Sequence, residues 1–77
     1  MVNWHDHIST NPEIMSGKPC FKGTRIPVYL VLRKMAMGET KQDILESYPK
    51  LTDESIQAAR LYAVDVVTNE AIFPASN

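Results

Sequence analysis

The amino-acid sequence predicts a mainly α-helical domain in which a short N-terminal β-hairpin precedes a three-helix bundle of the helix-turn-helix type. Apolar residues recur at helical spacing in three separate segments, and each segment begins next to a residue that starts or caps helices. Upstream of them, two short apolar runs flank a turn rich in glycine and proline, which is the pattern of a hairpin. The chain has 77 residues, and this length has room for one hydrophobic core.

We expect a single domain over residues 1–77. Its parts are an N-terminal arm over residues 1–12, a hairpin and lead over residues 13–27, three helices over residues 28–70 and a tail over residues 71–77. The arm is polar apart from Trp4 and Ile8, and it is expected to be irregular or to form a short strand. In the hairpin, Ile14–Met15 and Cys20–Phe21 are the predicted strands, joined by the turn at residues 16–19. Two strands alone are marginal in water, so the helices or a second copy of the chain must cover them.

Pro27 lies where a helix tolerates proline, at the first turn, so the first helix is expected from residue 28, with Thr24 just upstream as its cap. Its core-facing residues recur at helical spacing, and Gly38 is placed to end the helix. These core-facing residues are Val28, Val31, Leu32 and Met35. Leu30 and Met37 lie off this stripe. Either the buried face is wide, or these two side chains contact another subunit or a partner.

Capping patterns mark the starts of the second and third helices. Thr40 and Asp43 form a capping box that opens a helix through Ser47, and Thr52 caps a longer helix from Asp53 to about Asn69. The second helix is expected to bury Ile44, Leu45 and Tyr48. The core stripe of the third helix is predicted to comprise Ile56, Ala59, Ala63 and Val67, broadened by Leu61, Val64 and Val66.

Composition favours an intracellular protein. The single cysteine, Cys20, cannot form an internal disulfide, which favours a reducing compartment. No signal peptide or membrane-spanning run is recognisable, so we expect a cytoplasmic protein without a membrane partner. Small domains without disulfides or metal ions commonly gain stability by association, and we therefore expect a homodimer.

Charge is distributed unevenly along the chain, although the net charge is only −1. Residues 1–38 carry five cations and two acids, a sum of +3, whereas residues 39–77 carry three cations and seven acids, a sum of −4. This polarity suits a protein whose first half touches an anionic partner. The alternative is two solvated faces without a partner.

No catalytic or metal-binding set of residues is recognisable, so we expect neither an enzyme nor a cofactor. His5 and His7 lack a third ligand at a recognisable spacing. The segment GKPCFKGT over residues 17–24 resembles a phosphate loop only superficially, because its lysine precedes the second glycine. Cys20 has no adjacent base and is interpreted as a small apolar strand residue.

The stretch GKPCFKGTRIPV, Gly17 to Val28, combines two glycines, two prolines and three cations. Glycine permits backbone angles that other residues avoid and proline fixes φ, so this stretch is predicted to form a rigid lead into the first helix. Lys18, Lys22 and Arg25 have no acidic neighbour in the sequence, so the lead is expected to present them to a partner. Thr24, next to a helix start, could contribute to binding one phosphate.

DNA binding would place the third helix in the major groove, and its first turn suits this role poorly. Asp53 and Glu54 would repel phosphates, which leaves Gln57 and Arg60 as candidates for base contacts. The charge for phosphate contacts would come from Lys18, Lys22, Arg25, Arg33 and Lys34.

Two strings of residues resemble a small prokaryotic family known as domain of unknown function 433. They are GKPCFKGTRIPV over residues 17–28 and the turn YPKLT over residues 48–52, within a resemblance that covers about residues 8–65. The resemblance implies a homeodomain-like trihelical fold preceded by a short β element. It also implies a VapB-type antitoxin, which binds and silences a PIN-like ribonuclease toxin and, with it, represses its own operon.

We therefore expect an antitoxin-like binding protein, with two alternatives: a helix-turn-helix regulator without a toxin partner, and a purely structural dimeric module. Contacts to the nuclease or to operator DNA are predicted at Lys18, Lys22, Thr24, Arg25, Arg33, Lys34, Gln57 and Arg60. Subunit or partner contacts are predicted at Leu30, Met37, Ile72 and Phe73. Arg25 is the best candidate to pair with the acidic, metal-holding active site of such a nuclease, because a guanidinium group can bind a carboxylate through two hydrogen bonds.

Overall fold

The computed structural model describes residues 2–10 and 17–69 of the chain. Its elements are, in chain order, one 3-10 turn at Trp4–Asp6, strands β1 (Ile8–Ser9) and β2 (Cys20–Phe21), and helices α1 (Val28–Ala36), α2 (Lys41–Ser47) and α3 (Asp53–Asn69). Three helices thus accompany a two-stranded antiparallel sheet, and the predicted fold class is confirmed. None of the helices in the described ranges is long and apolar enough to cross a membrane.

The N-terminal arm supplies one of the two strands. β1 lies antiparallel to β2, with Ile8 opposite Phe21 and Ser9 opposite Cys20. The strand predicted at residues 14–15 lies outside the described residues, and the strand that pairs with β2 comes from the arm instead. Burial explains this register, because Ile8 and Phe21 both belong to the hydrophobic core and the pairing sets them side by side.

A tight turn leads from β2 to α1. The N–H of Thr24 donates to the carbonyl oxygen of Phe21 at 3.0 Å, and Gly23 between them has a φ of +77°. A turn with positive φ at its third residue favours glycine there. The Thr24 hydroxyl donates to the same carbonyl at 2.8 Å and accepts the N–H of Ile26 at 3.0 Å. Thr24 therefore braces the turn, and its prediction as the cap of α1 is wrong: α1 starts after Pro27, which has no capping side-chain hydrogen bond.

Gly38 ends α1, as predicted. It has a φ of +98°, and its N–H donates to the carbonyl of Met35 at 3.0 Å. The N–H of Glu39 then donates to the carbonyl of Lys34 at 3.0 Å. These two bonds form a Schellman motif, which satisfies carbonyl groups that the helix leaves open and directs the chain toward α2.

The capping box predicted for α2 is present, and the Thr52 cap predicted for α3 is part of a similar pair of reciprocal hydrogen bonds. Thr40 Oγ1 accepts the N–H of Asp43, and Asp43 Oδ2 accepts the N–H of Thr40, each at 3.1 Å. The backbone N–H of Thr40, followed by its hydroxyl, holds the pKa of the Asp43 carboxyl below its ordinary value. At α3, Thr52 and Ser55 exchange the same pair of bonds at 3.2 and 3.1 Å. Both helices keep their predicted bounds because these signals are local.

One core joins the sheet to the three helices. It is lined by the buried side chains of Ile8, Phe21, Val28, Val31, Ile44, Leu51, Ile56, Ala58 and Ala59. Partly buried apolar side chains from every helix pack around these residues, Leu32 and Met35 of α1 among them. The α1 stripe and the core position of Ile44 are as predicted, so helical periodicity identified the inward face of the first two helices.

The second half of α3 departs from its prediction. Ile56 and Ala59 are fully buried, whereas Val64 and Val67 are 58% and 56% exposed. Both valines fit the periodicity of a core stripe, but the core reaches only the first half of this helix. After Ala59, Tyr62 still packs against the core, but at Val64 and Val67 the same periodicity leads to exposed positions.

Trp4 covers one flank of the second half of α3. Its Nε1–H donates to Asp65 Oδ2 at 2.6 Å, and its ring meets the ring of Tyr62 edge to face with centroids 5.0 Å apart. The ring of His5 stacks on Trp4 at 3.7 Å. The N-terminal arm is therefore docked on α3 through its aromatic side chain, which the sequence did not indicate.

Candidate functional site

The part of the basic lead that follows β2, residues 22–27, is held rigidly. The N–H of Phe21 donates to the carbonyl of Ile26 at 3.0 Å, which closes the loop on itself. The N–H of Lys22 donates to the carbonyl of His7 at 2.8 Å, which ties the loop to the arm. Arg25 is exposed inside this closed loop, so its backbone is fixed while its side chain is accessible. This arrangement agrees with the predicted rigid lead that presents cations.

Arg25 shares an open depression with a second cation. Lys50, in the turn between α2 and α3, lines this depression together with Gly23, Thr24 and Arg25. Both cations are exposed, and within residues 2–10 and 17–69 neither forms an ion pair. Lys50 was not predicted as a site residue, although it lies inside the YPKLT string. Two cations facing one depression can together bind a carboxylate or phosphate group.

A second basic group surrounds Tyr29 of α1. The Nζ of Lys18 lies 5.0 Å from the centroid of the Tyr29 ring, and the Cζ of Arg33 lies 5.2 Å from it. Lys18 comes from the lead and Arg33 lies one helical turn beyond Tyr29, so the ring joins two predicted site residues. Tyr29 itself was missed, because an exposed aromatic residue on a helix gives no sequence signal until its neighbours are known.

Lys34 is already engaged within the fold. Its Nζ lies 3.3 Å from Glu39 Oε2 and 6.0 Å from the ring centroid of Tyr48. The side chain is only 31% exposed. Among the cations predicted to meet a partner, Lys34 therefore has the strongest structural role, since it ties the end of α1 to the start of α2.

The candidates on α3 lie on an element separate from the lead. Gln57 and Arg60 are exposed, as contacts to DNA would require. The exposed acids Asp53 and Glu54 precede them in the first turn, and Asp53 Oδ1 lies 3.5 Å from the Nζ of Lys41. That ion pair offsets part of the negative charge at the start of α3.

Exposed apolar side chains mark two places on the surface. Met37, predicted as an interface residue, is 77% exposed, whereas Leu30 is half-buried. The other predicted interface residues, Ile72 and Phe73, lie outside the described residues. Val64 and Val67 add an exposed strip on α3 that was wrongly assigned to the core.

Histidine and cysteine chemistry is limited in the described part of the chain, where no group of three or more His, Cys, Asp or Glu side chains could hold a metal ion. His5 is stacked on Trp4, with its Nδ1 3.0 Å from Asn3 Oδ1. Cys20 is buried, its Sγ donates to the carbonyl of Lys18 at 3.5 Å, and burial raises the pKa of the thiol. The basic depression and the exposed apolar surfaces are thus the candidate binding features.

Comparison with known proteins places the chain in a family without an established role. A family described as protein of unknown function (DUF433) matches residues 8–63. The chain is also similar to the uncharacterized protein y4eO of Sinorhizobium fredii (strain NBRC 101917 / NGR234), with 39% identity over 56 residues. The match covers 73% of this chain but only 25% of that relative. No solved structure matches the chain. With a family match across most of its length, the chain belongs to the DUF433 family.

Proposed function

We propose that the protein is an antitoxin-like binding module that neutralises a PIN-like ribonuclease. The observation that carries this proposal is the depression lined by Arg25 and Lys50, two exposed cations that form no ion pair within the described residues. A paired surface cation already has its counter-charge, whereas these two remain available to a carboxylate of a partner. The class of partner comes from the family resemblance of residues 8–65.

The chemistry of such a nuclease fits this depression. Its active site would hold divalent metal ions through clustered carboxylates, which carry excess negative charge when the metal is displaced. Arg25 can bind one carboxylate through two hydrogen bonds, and Lys50 adds a second positive charge beside it. The nuclease would then lose its metal ions and its activity together.

Rigidity of the lead favours this kind of contact. The backbone around Arg25 is closed by the Phe21 to Ile26 hydrogen bond and braced by the Thr24 hydroxyl. A loop that is already ordered loses less conformational entropy when it binds. The exposed Met37 offers an apolar contact that could accompany the charged one, since methionine and arginine are both enriched in protein interfaces.

The test is co-expression with a PIN-like ribonuclease, if one is encoded beside the gene of this protein. We expect the two proteins to co-purify and the ribonuclease activity of the partner to be suppressed in the complex. Arg25→Ala and Lys50→Ala should each weaken suppression about tenfold or more, as expected for lost charge-assisted hydrogen bonds. Lys41→Ala is the matched control, because Lys41 is an exposed lysine paired with Asp53. Failure of the two proteins to form a complex would contradict the proposal.

Operator DNA is the second candidate ligand, because residues 17–38 contain five cations and no acid. Binding would depend steeply on salt if several of these cations contacted phosphates. The measurement is a mobility shift with the protein's own promoter over a range of salt concentrations, with unrelated DNA of equal length as the control. Equal shifts on both fragments, or none, would exclude sequence-specific autorepression.

A further inference from the structure

The second half of α3 carries a strip of small and β-branched side chains. Ala63, Val64, Val67 and Thr68 line this strip, and none of the other elements in the described ranges covers the two valines. Trp4 occupies the opposite flank of the helix through Asp65. Three of the four strip residues lie beyond residue 63, where the family match ends, so most of the strip lies outside the matched range.

The described contacts to the second half of α3 come from the side on which Trp4 lies. The fully buried core residues of α3 end at Ala59, Tyr62 packs against the core as a partly buried residue, and the helix continues to Asn69. Isolated helices shorter than about 12–15 residues are marginal in water, and most helical stability in proteins comes from packing of an apolar face. The Trp4 side provides one such contact. The valine side is where a second contact would add most.

We propose that this strip is the homodimer interface, formed by α3 of a second copy crossing antiparallel over a two-fold axis. Val64 and Val67 are three residues apart, so a two-fold axis between them brings Val64 of each copy against Val67 of the other copy. The patch is thus complementary to itself. Ala63 and Thr68 flank the valines with small side chains, which allows helix axes to approach to about 8–10 Å.

The chemistry of the strip favours a second copy over the acidic partner proposed above. An acidic partner is recognised by cations, whereas the four strip residues carry no charge. When two copies of the same apolar patch pack against each other, both patches are buried from water. The dimer therefore goes beyond the proposed function and does not depend on it.

The size of the strip predicts how tight this dimer is. Stable complexes bury about 800 Å² on each partner, and four side chains, two of them about half exposed, provide much less. We therefore expect association in the micromolar range or weaker, with monomers and dimers exchanging as the protein is diluted.

Sedimentation equilibrium of the full 77-residue chain tests this interface. Between about 10 µM and 1 mM, the average mass should rise from 8.7 kDa toward twice that value. The double variant Val64→Glu with Val67→Glu should remain monomeric over this range. Ala36→Glu is the matched control, because Ala36 is an exposed apolar residue of α1, and it should leave association unchanged. The near-isosteric pair Val64→Thr with Val67→Thr should weaken association without a volume change.

Cysteine cross-linking tests the register independently. A chain with Val64→Cys mixed with a chain with Val67→Cys should form a mixed disulfide faster than either chain alone, while the buried Cys20 stays largely unreactive. A monomeric mass at all concentrations, or a dimer that is insensitive to both valine pairs, would overturn the interface. The interface would also be overturned if the wild type is monomeric and the Val64→Thr with Val67→Thr variant is markedly less stable than the wild type. In that case another segment of the same chain would cover the strip.

Discussion

The contact between Trp4 and Asp65 predicts a measurable coupling between the two ends of the described chain. The Nε1–H of Trp4 donates to the Asp65 carboxylate at 2.6 Å across 61 positions of sequence. Trp4→Phe removes the donor and keeps an aromatic ring against Tyr62, whereas Asp65→Asn keeps an acceptor and removes the charge. The double variant closes a thermodynamic cycle that isolates this one interaction.

The exposure of Asp65 determines the magnitude of this coupling free energy. A hydrogen bond to a charged group contributes about 1.5–3 kcal/mol, but Asp65 is exposed and water can replace the lost donor. We therefore expect a coupling of about 0.5–1 kcal/mol, equivalent to about 2–8 °C in Tm for a domain of this size. Trp4→Ala also loses the edge-to-face contact with Tyr62, centroids 5.0 Å apart, so its cost should reach about 2–3 kcal/mol.

Thermal and urea unfolding followed by circular dichroism would measure the free energy of unfolding of each variant. Trp4 is the only tryptophan in the chain, so its fluorescence also reports docking of the arm directly in the wild type and in Asp65→Asn. A coupling of zero would show that Trp4 and Asp65 do not interact in solution. A Trp4→Ala variant as stable as the wild type would refute docking of the arm on α3.

Three further predictions concern the helix ends and the cysteine. Gly38→Ala should cost about 1–2 kcal/mol in urea unfolding, because φ is +98° there while an added Cβ meets nothing within 4 Å, and Gly38→Asn should cost less. Because the pKa of Asp43 is lowered in the folded protein, its ionised carboxylate stabilises the fold at pH values above the ordinary pKa of 3.8. This stabilisation is lost as the pH falls through the lowered pKa. Urea unfolding of Thr40→Ala from pH 5 to pH 2 should therefore show a weaker pH dependence than the wild type, and an identical one would contradict the capping box. Cys20 should react with a thiol reagent slowly in the native protein and rapidly in urea, and equally fast reaction in both would show that it is accessible.

Local signals made much of the helical architecture predictable. The capping boxes at Thr40 and Thr52 and the positive-φ position at Gly38 act over a few residues, and each sets a helix end where it was predicted. Helical spacing likewise identified Val28 and Val31 as core residues. The family resemblance over residues 8–65 is confirmed by the match to residues 8–63.

Contacts between distant residues account for what the sequence did not reveal. The pairing of Ile8 with Phe21 and the docking of Trp4 on Asp65 depend on which surfaces meet, and no local pattern encodes that. Val64 and Val67 continue a core-like spacing after the core itself has ended. Helical periodicity reports which residues share a face of a helix, but not whether another element covers that face.

The candidate site shows the same division. Arg25 was predicted as an accessible cation from the lack of an acidic neighbour in sequence, and the exposed side chain agrees with this. Its neighbour Lys50 was missed because the fold brings together two turns separated by the whole of α1 and α2. A basic pair of this kind can be proposed only once the two turns are seen side by side.

Neither of the two proposed contact surfaces is part of the hydrophobic core, so residues there can be substituted without disturbing the core. Arg25, Lys50, Val64 and Val67 are exposed, and none of them belongs to the buried cluster that joins the sheet to the helices. Substitutions on exposed surfaces usually alter stability by less than about 0.5 kcal/mol, so loss of binding in these variants can be separated from unfolding. The two surfaces also lie on different elements, with Arg25 in the lead and the valines on α3. If nuclease binding and dimerisation are independent, the effects of substitutions at the two surfaces will add, and any departure from additivity measures their coupling.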